Sequence, residues 1–244
     1  QSKFLCHPTI TFTQDVPTST PGNKYSYDFS YYLAIVQEFV ILYIKIKYYY
    51  QWLIDNNITN KMSHIMLDLE TLGTVSNSII LTIGAIKFDP LTDIGPLEKC
   101  NTFYRRITIQ SCRDVGLISE DQTIKWWNSQ DSSVKFEAIE NTDRLPLTKV
   151  LLEFSEWFGK SVKIWGHGDD FDCVILGNAY KACNLTPPWK FWNTRDTRTL
   201  FDLARINIKS FCQDNIHHAL HDSYRQILAT QESLKRLKIN NVYQ

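Results

Sequence analysis

The chain has 244 residues, 43% hydrophobic and 21% charged, with 26 basic residues against 26 acidic ones. That is enough for one α/β domain of ordinary size with a real core and chain to spare. The zero formal net charge removes the basic excess expected of a protein that tracks a long phosphate backbone. The cysteines at 6, 100, 112, 173, 183 and 212 contain no C-x-x-C pair and no zinc-finger spacing, so they read as reduced thiols of a cytoplasmic protein.

Residues 1–61 differ from the rest. Eight of the twelve tyrosines lie there: Tyr25, Tyr27, Tyr31, Tyr32, Tyr43, Tyr48, Tyr49 and Tyr50. The apolar stretch from Tyr31 to Ile54 is interrupted by Gln37, Glu38, Lys45 and Lys47. Its cleanest run, Phe39 to Ile44, falls far short of the ~20 residues a membrane span needs. No basic segment followed by an apolar stretch and a small-residue cleavage site marks a signal peptide. The folded domain is expected to begin at Met62 and cover residues 62–244. Residues 1–61 are then an extension outside it, of the kind translated upstream sequence would give. A helical extension over residues 30–54 is the alternative.

Within the domain, the apolar run 64–69 predicts a buried strand, and the β-branched run 79–88 a second. Residues 102–109 predict a third, nearer an edge. Ser119 is placed as the N-cap of a short helix through Trp126 and Trp127, with Glu120 and Asp121 in its first turn. Leu147, Val150, Leu151, Phe154, Trp157 and Phe158 trace one face of a helix over 147–159. A strand at 162–166 and helices at 171–183, 196–205 and 218–237 complete the pattern. Strands first, then alternating helices and strands, imply a mixed α/β sheet flanked by helices. Residues 62–244 hold no internal repeat and no glycine-rich phosphate loop.

Three segments carry candidate chemistry. Asp68 and Glu70 alternate on the first strand and so project to one face, where two carboxylates would resist ionisation unless a divalent cation lay between them. An Asp capping a turn, with Glu70 in solvent, is the plainer reading. Asp172 opens the helix after Gly166-His167-Gly168-Asp169-Asp170-Phe171, in a position where an acid is often a simple cap. His217 and Asp222, five residues apart, can face one cleft from the start of the last helix. Three histidines, His217, His218 and His221, also raise a zinc site, though no fourth ligand is evident. Jointly, hard oxygen donors and a base near neutrality are what metal-assisted phosphodiester hydrolysis needs.

Asp68-Leu69-Glu70-Thr71, Phe171-Asp172 and His217-x4-Asp222 resemble the three motifs of the DEDDh (DnaQ-like) 3′–5′ exonuclease superfamily. The likeness is closest to the phage-type exonuclease A and exodeoxyribonuclease VIII-like 3′–5′ exoribonuclease-like branch. Thr123 to Trp127, Val162 to Gly166 and Lys190 to Thr199 support it, and the likeness spans residues 62–237. It implies a ribonuclease H-like fold and two divalent cations, Mg²⁺ or Mn²⁺. Asp68, Glu70 and Asp222 would hold the first cation. Asp68 would bridge to the second, near Asp172, and His217 would deprotonate the attacking water. It implies release of nucleoside 5′-monophosphates from a 3′ end, DNA slightly favoured, with RNA as the alternative and a silent binding module as the remote one. The partner would be nucleic acid and not a membrane, and a homodimer is admissible. Asp169 and Asp170 compete with Asp172 for the second motif. Thr71, Leu72, Trp126, Trp127, Phe171 and Arg195 are candidate substrate contacts. The two tryptophans read first as core anchors on their short helix, with base stacking by one of them as the alternative. Arg195 and Arg198 could contact phosphate or pair with Asp196 and Asp202.

Overall fold

The computed structural model describes residues 36–49, 64–161, 163–168, 170–211 and 215–241. The chain divides into two units, Gln1–Gln51 and Trp52–Gln244. In the first, residues 36–49 form a helix, α1, inside the stretch where a helical extension was the alternative reading. Most of the tyrosine-rich segment, with Cys6, lies outside the described residues, as do Asp169 and Cys212. Among the described residues no helix is long and apolar enough to cross a membrane.

The second unit is built on one five-stranded sheet. Its strands are β1 (His64–Thr71), β2 (Ile80–Phe88), β3 (Asn101–Arg106), β4 (Lys163–Gly166) and β5 (Thr194–Asp196), in the order β3-β2-β1-β4-β5. β2 runs antiparallel to β1 and β3, while β4 is parallel to both β1 and β5. This is the mixed sheet expected from the sequence. Around it lie α2 (Ile109–Asp114), α3 (Asp121–Asn128), α4 (Ser132–Lys135), α5 (Leu147–Phe158), α6 (Asp172–Ala182), α7 (Thr197–Ala204) and α8 (Ala219–Arg236).

β1 and β2 are central strands with both faces covered, hence their nearly unbroken apolar sequences. Alternation then assigns the faces. Ile65, Leu67 and Leu69 join Ile83, Ala85, Phe103, Phe154 and Leu176 in the larger core. Met66 turns the other way, towards Ile86, Phe88, Trp165 and Ile227. Asp68 and Glu70 share the parity of Met66 and so face α8. At Gly84, opposite Asp68 in the ladder, an added Cβ would fall inside the backbone of Ala219 and Leu220. The missing side chain lets the start of α8 lie against the sheet, and Ser223 Oγ fastens it by donating to Gly84 O at 3.1 Å.

Some boundaries move. The third strand ends at Arg106, and Thr108 already caps α2, which the sequence reading passed over. Glu120, not Ser119, is the N-cap of α3: it holds an extended φ of −108° and accepts no helix amide with its side chain. That side chain instead accepts from the amide and hydroxyl of Thr74. β5 spans three residues, too few for period-2 alternation to register.

Candidate active site

The carboxylates of β1 meet α8 across the sheet face. Asp68 Oδ1 accepts a 2.7 Å hydrogen bond from Gln226 Nε2, and Glu70 is 8% exposed. One helical turn before Gln226, Asp222 is 7% exposed. Its Oδ2 accepts from the His217 amide at 3.1 Å. Arg225 Nη2 stands 2.7 Å from Asp222 Oδ1, an ion-pair contact outside hydrogen-bond geometry, so this buried oxygen has no hydrogen-bond partner. His217 adopts a left-handed φ of +64°, which is uncommon for a residue with a side chain. Its ring packs edge-on to Trp126 with centroids 4.8 Å apart. Donor atoms of Glu70, His217 and Asp222 all lie within 4.8 Å of one another.

The third wall comes from the turn after β4. Asp172, 3% exposed, is the first residue of α6, and its Oδ1 accepts the Leu69 amide at 3.1 Å. Asp170 is exposed. Of the two described aspartates in that segment, Asp172 is the one that lines the cleft. Gly168, at φ +93°, lets the turn close beneath the Arg198 guanidinium. Asp196 steadies the same turn by accepting from the Gly168 amide, while capping α7 through the amides of Arg198 and Thr199. It therefore pairs with neither arginine. Thr197 Oγ1 donates to Gly166 O, which leaves it to accept from His167 Nδ1 at 2.9 Å. That fixes the tautomer of His167, a cleft residue the sequence reading did not single out.

These groups enclose a cleft of about 560 Å³ whose wall includes Thr71, Trp126, Trp127, Phe171 and Arg198. The tryptophans divide the two roles open to them. Trp127 is 1% exposed, its Nε1 bonded to Thr71 O at 2.8 Å, and is a core anchor. Trp126 remains 40% exposed at the rim. Two expected contacts do not reach the cleft. Leu72 is a core residue whose backbone pairs with Ile79 and Glu120. Arg195 is absent from the cleft wall and bonds the carbonyls of Trp192 and Thr194. The three histidines do not converge either. His218 turns to Tyr104 and Glu137, and His221 packs on His218.

Burial is the main electrostatic force here. It raises Asp68 well above the usual carboxylate range, reinforced by the charges of Asp172, Glu70 and Asp222. Burial and then Asp222 and Asp172 do the same to Glu70. Asp172 is pushed up to about 7 by burial, against hydrogen bonds from backbone amides. Burial also raises Asp222 despite Arg225 beside it. It lowers His217, leaving a neutral imidazole that can accept a proton. Four crowded carboxylates, three of them buried and with Arg225 as the ion-pair partner of Asp222 alone, fit bound cations far better than bare burial. The donors are oxygens with one imidazole, the set hard divalent ions prefer.

A family model described as the 3′-5′ exoribonuclease Rv2179c-like domain matches residues 63–234. The exodeoxyribonuclease of Enterobacteria phage T4 is 20% identical over 207 residues, covering 71% of this chain and 90% of that protein. Among solved structures, the RNase domain of the yeast Pop2 protein aligns at TM-score 0.45 and 11% identity, over 77% of this chain and 82% of that one. S. pombe Pop2p, in its Mg²⁺- and Mn²⁺-bound form, aligns at TM-score 0.44 and 16% identity, over 76% and 88%. With the family model spanning most of the chain, this protein belongs to the 3′-5′ exoribonuclease Rv2179c-like domain family of 3′–5′ exonucleases.

Proposed function

We propose that residues 62–244 form a metal-dependent 3′–5′ exonuclease that releases nucleoside 5′-monophosphates, with single-stranded DNA ends as the favoured substrate. The observation that carries this is the convergence of Asp68, Glu70, Asp172 and Asp222 on one cleft with His217 beside Glu70 and Asp222. Asp68, Glu70 and Asp222 would hold one divalent cation, and Asp68 with Asp172 a second. Bound Mg²⁺ or Mn²⁺ would supply the positive charge that steadies the scissile phosphate and eases deprotonation of water. His217 takes the proton of the attacking water, a role suited to its neutral ring and its loop position. Trp126 offers aromatic surface to the terminal base, and Thr71, Phe171 and Arg198 bound the space around it.

RNA is the second reading, supported by the exoribonuclease description of the family, as the phage relative's name supports DNA. The test is incubation of 3′-end-labelled single-stranded DNA, duplex DNA and RNA with Mn²⁺, beside a His217→Ala control. Mononucleotide release from single strands, abolished in the control, is expected. Binding without 3′ shortening of any strand would leave only a silent module. A chain shortened to begin at Met62 should retain the activity if residues 1–61 stand outside the enzyme.

A further inference from the structure

A second depression, of about 460 Å³, runs along α6 from Asp170 and Val174 to Lys181 and is walled by Trp189 and Phe191. Its lining interleaves in sequence with that of the acidic cleft at the start of α6. Phe171 and Asp172 line the cleft, whereas Asp170 and Cys173, on either side of them in sequence, line the groove. The first turn of α6 is thus a shared wall.

The far end carries Phe191 in its wall and, next to it just outside the lining, Trp192, two aromatic side chains that the core does not use. Phe191 is 81% exposed and Trp192 60% exposed, set edge to face with centroids 4.8 Å apart. The turn that carries them is held by its backbone carbonyls. Asn193 N donates to Lys190 O at 2.8 Å, Thr194 Oγ1 to Phe191 O at 3.0 Å, and Arg195 Nη1 to Trp192 O at 3.0 Å. Trp189, the inner wall, is fixed edge-on against Tyr180 and Phe154. Keeping such apolar surface in water on a pinned turn costs free energy that folding does not recover. The charge around the groove favours an anion. Lys181 lines it and Lys190 adjoins Phe191. Neither forms an ion pair with a described residue, and Asp170 is the acid among the described lining residues.

We propose that this groove binds the 5′-ward nucleotides of a single-stranded substrate whose 3′ end occupies the acidic cleft. Phe191 and Trp192 stack bases, and Lys181 and Lys190 meet the intervening phosphates. Stacking on aromatic faces tolerates any base, as an enzyme that shortens arbitrary sequence requires. The inference rests on the exonuclease reading and adds to it a strand-length requirement and a direction of approach along α6.

The experiment compares a dinucleotide with a 12-nucleotide strand. Phe191→Ala and Trp192→Ala should each lower kcat/KM on the 12-mer about tenfold, chiefly through KM. Dinucleotide turnover, too short to reach them, should change less than twofold. Replacing Lys181 and Lys190 by Ala should flatten the log–log salt dependence on the 12-mer by about 0.7 per lost contact. Anisotropy of a labelled 12-mer on the Asp68→Asn chain reads the groove without turnover, and adding Trp192→Ala there should weaken binding about tenfold. Equal losses on both substrates, an unchanged 12-mer, or a shift in oligomeric state on removing the aromatics would overturn the groove. An unmodified chain that binds the 12-mer through Trp192 yet cleaves neither substrate would overturn the exonuclease reading alone.

Discussion

At one end of β1, His64 is 2% exposed, and four and six residues along the same strand stand the half-buried Asp68 and the buried Glu70. Burial pushes all three towards their neutral forms. His64 falls to about 4, with Lys163 and Arg195 adding to the effect of burial, while the two acids rise. What differs is whether neutrality finishes the matter. Trp165 Nε1 donates to His64 Nδ1 at 2.8 Å, its ring stacks on the imidazole, and Phe88 packs edge-on. The neutral histidine is therefore completed by the protein itself. Asp68 and Glu70 have acids for neighbours, and the compensation within reach is one neutral amide, Gln226, and the Arg225 guanidinium on Asp222. A perturbed buried group becomes a site when its compensation is left unfinished.

The largest test of that contrast is Asp68→Asn. Mononucleotide release should fall by about 10²–10³-fold, the loss typical of removing one preorganised charge contact. The same change should stabilise the metal-free protein, because it relieves crowding. The sign follows from the raised carboxylates. Between their ordinary range and about 7, the value for Asp172, the folded state holds protons that the unfolded chain has released. Metal-free stability should therefore fall as pH rises through that window, and less steeply in Asp68→Asn. Mn²⁺ at 100 times its dissociation constant should return about 2.7 kcal/mol at pH 8 in the unmodified chain. Urea unfolding with and without Mn²⁺ measures both, and an Asp68→Asn protein that cleaves normally or unfolds earlier without metal would break the contrast.

His64→Gln tests the other end. The unfolded histidine binds a proton below 6.5, and the folded one does not until about 4. His64 thus withdraws stability as pH falls across that window, by at most about 1.4 kcal/mol per pH unit. Glutamine keeps an acceptor for Trp165 and removes the titration. Urea midpoints between pH 4.5 and 6.5 should rise more steeply towards acid in the variant, with turnover at neutral pH unchanged. Parallel midpoint curves for the two proteins would show that His64 titrates normally.

The contrast also explains what could be read in advance. Asp68 and Glu70 were legible because strand parity alone puts them on one face, and His217 and Asp222 because their spacing spans a helix start. Asp172 was separable from Asp170 only by the motif, since helix-start acids look alike until the Leu69 amide picks one. Gly84 carries no chemical signal. Its importance comes from a helix more than 130 residues away touching its Cα. Gly84→Ala should cost about 1–3 kcal/mol and displace the His217 loop. A matching fall in kcat, read beside the melting temperature, tests that link. Leu72 shares the parity of Asp68 and Glu70, but it lies past the end of β1, beyond a register shift between Glu70 and Thr71, and so enters the core instead. Arg195 folds back on the carbonyls of its own turn. Gln226 and Arg225 were invisible because a long polar helix offers many such residues and only packing chooses among them.

The smallest expected effect concerns how the His217 loop is braced from behind. His218, the N-cap of α8, stacks on Tyr104 with centroids 4.5 Å apart, and its Nε2 lies 3.6 Å from Glu137 Oε1. Tyr104 donates to that same oxygen at 2.5 Å, and Arg106 pairs with it. Glu137 sits in a π-helical turn, Phe136–Glu140, that aims it at this junction. Burial works against its ionisation, but Tyr104, Arg106 and His218 outweigh it and hold Glu137 below the usual carboxylate range. This acid is thus completed by its partners, as His64 is and Asp68 is not. Glu137→Gln keeps the shape and removes the charge, so it should cost about 1 kcal/mol of stability. If the brace sets the position of His217, kcat should also drop about threefold to tenfold with KM unchanged, since a slightly misplaced base slows proton transfer without touching strand binding. A stability loss with kcat intact would make the network a support for α8 alone.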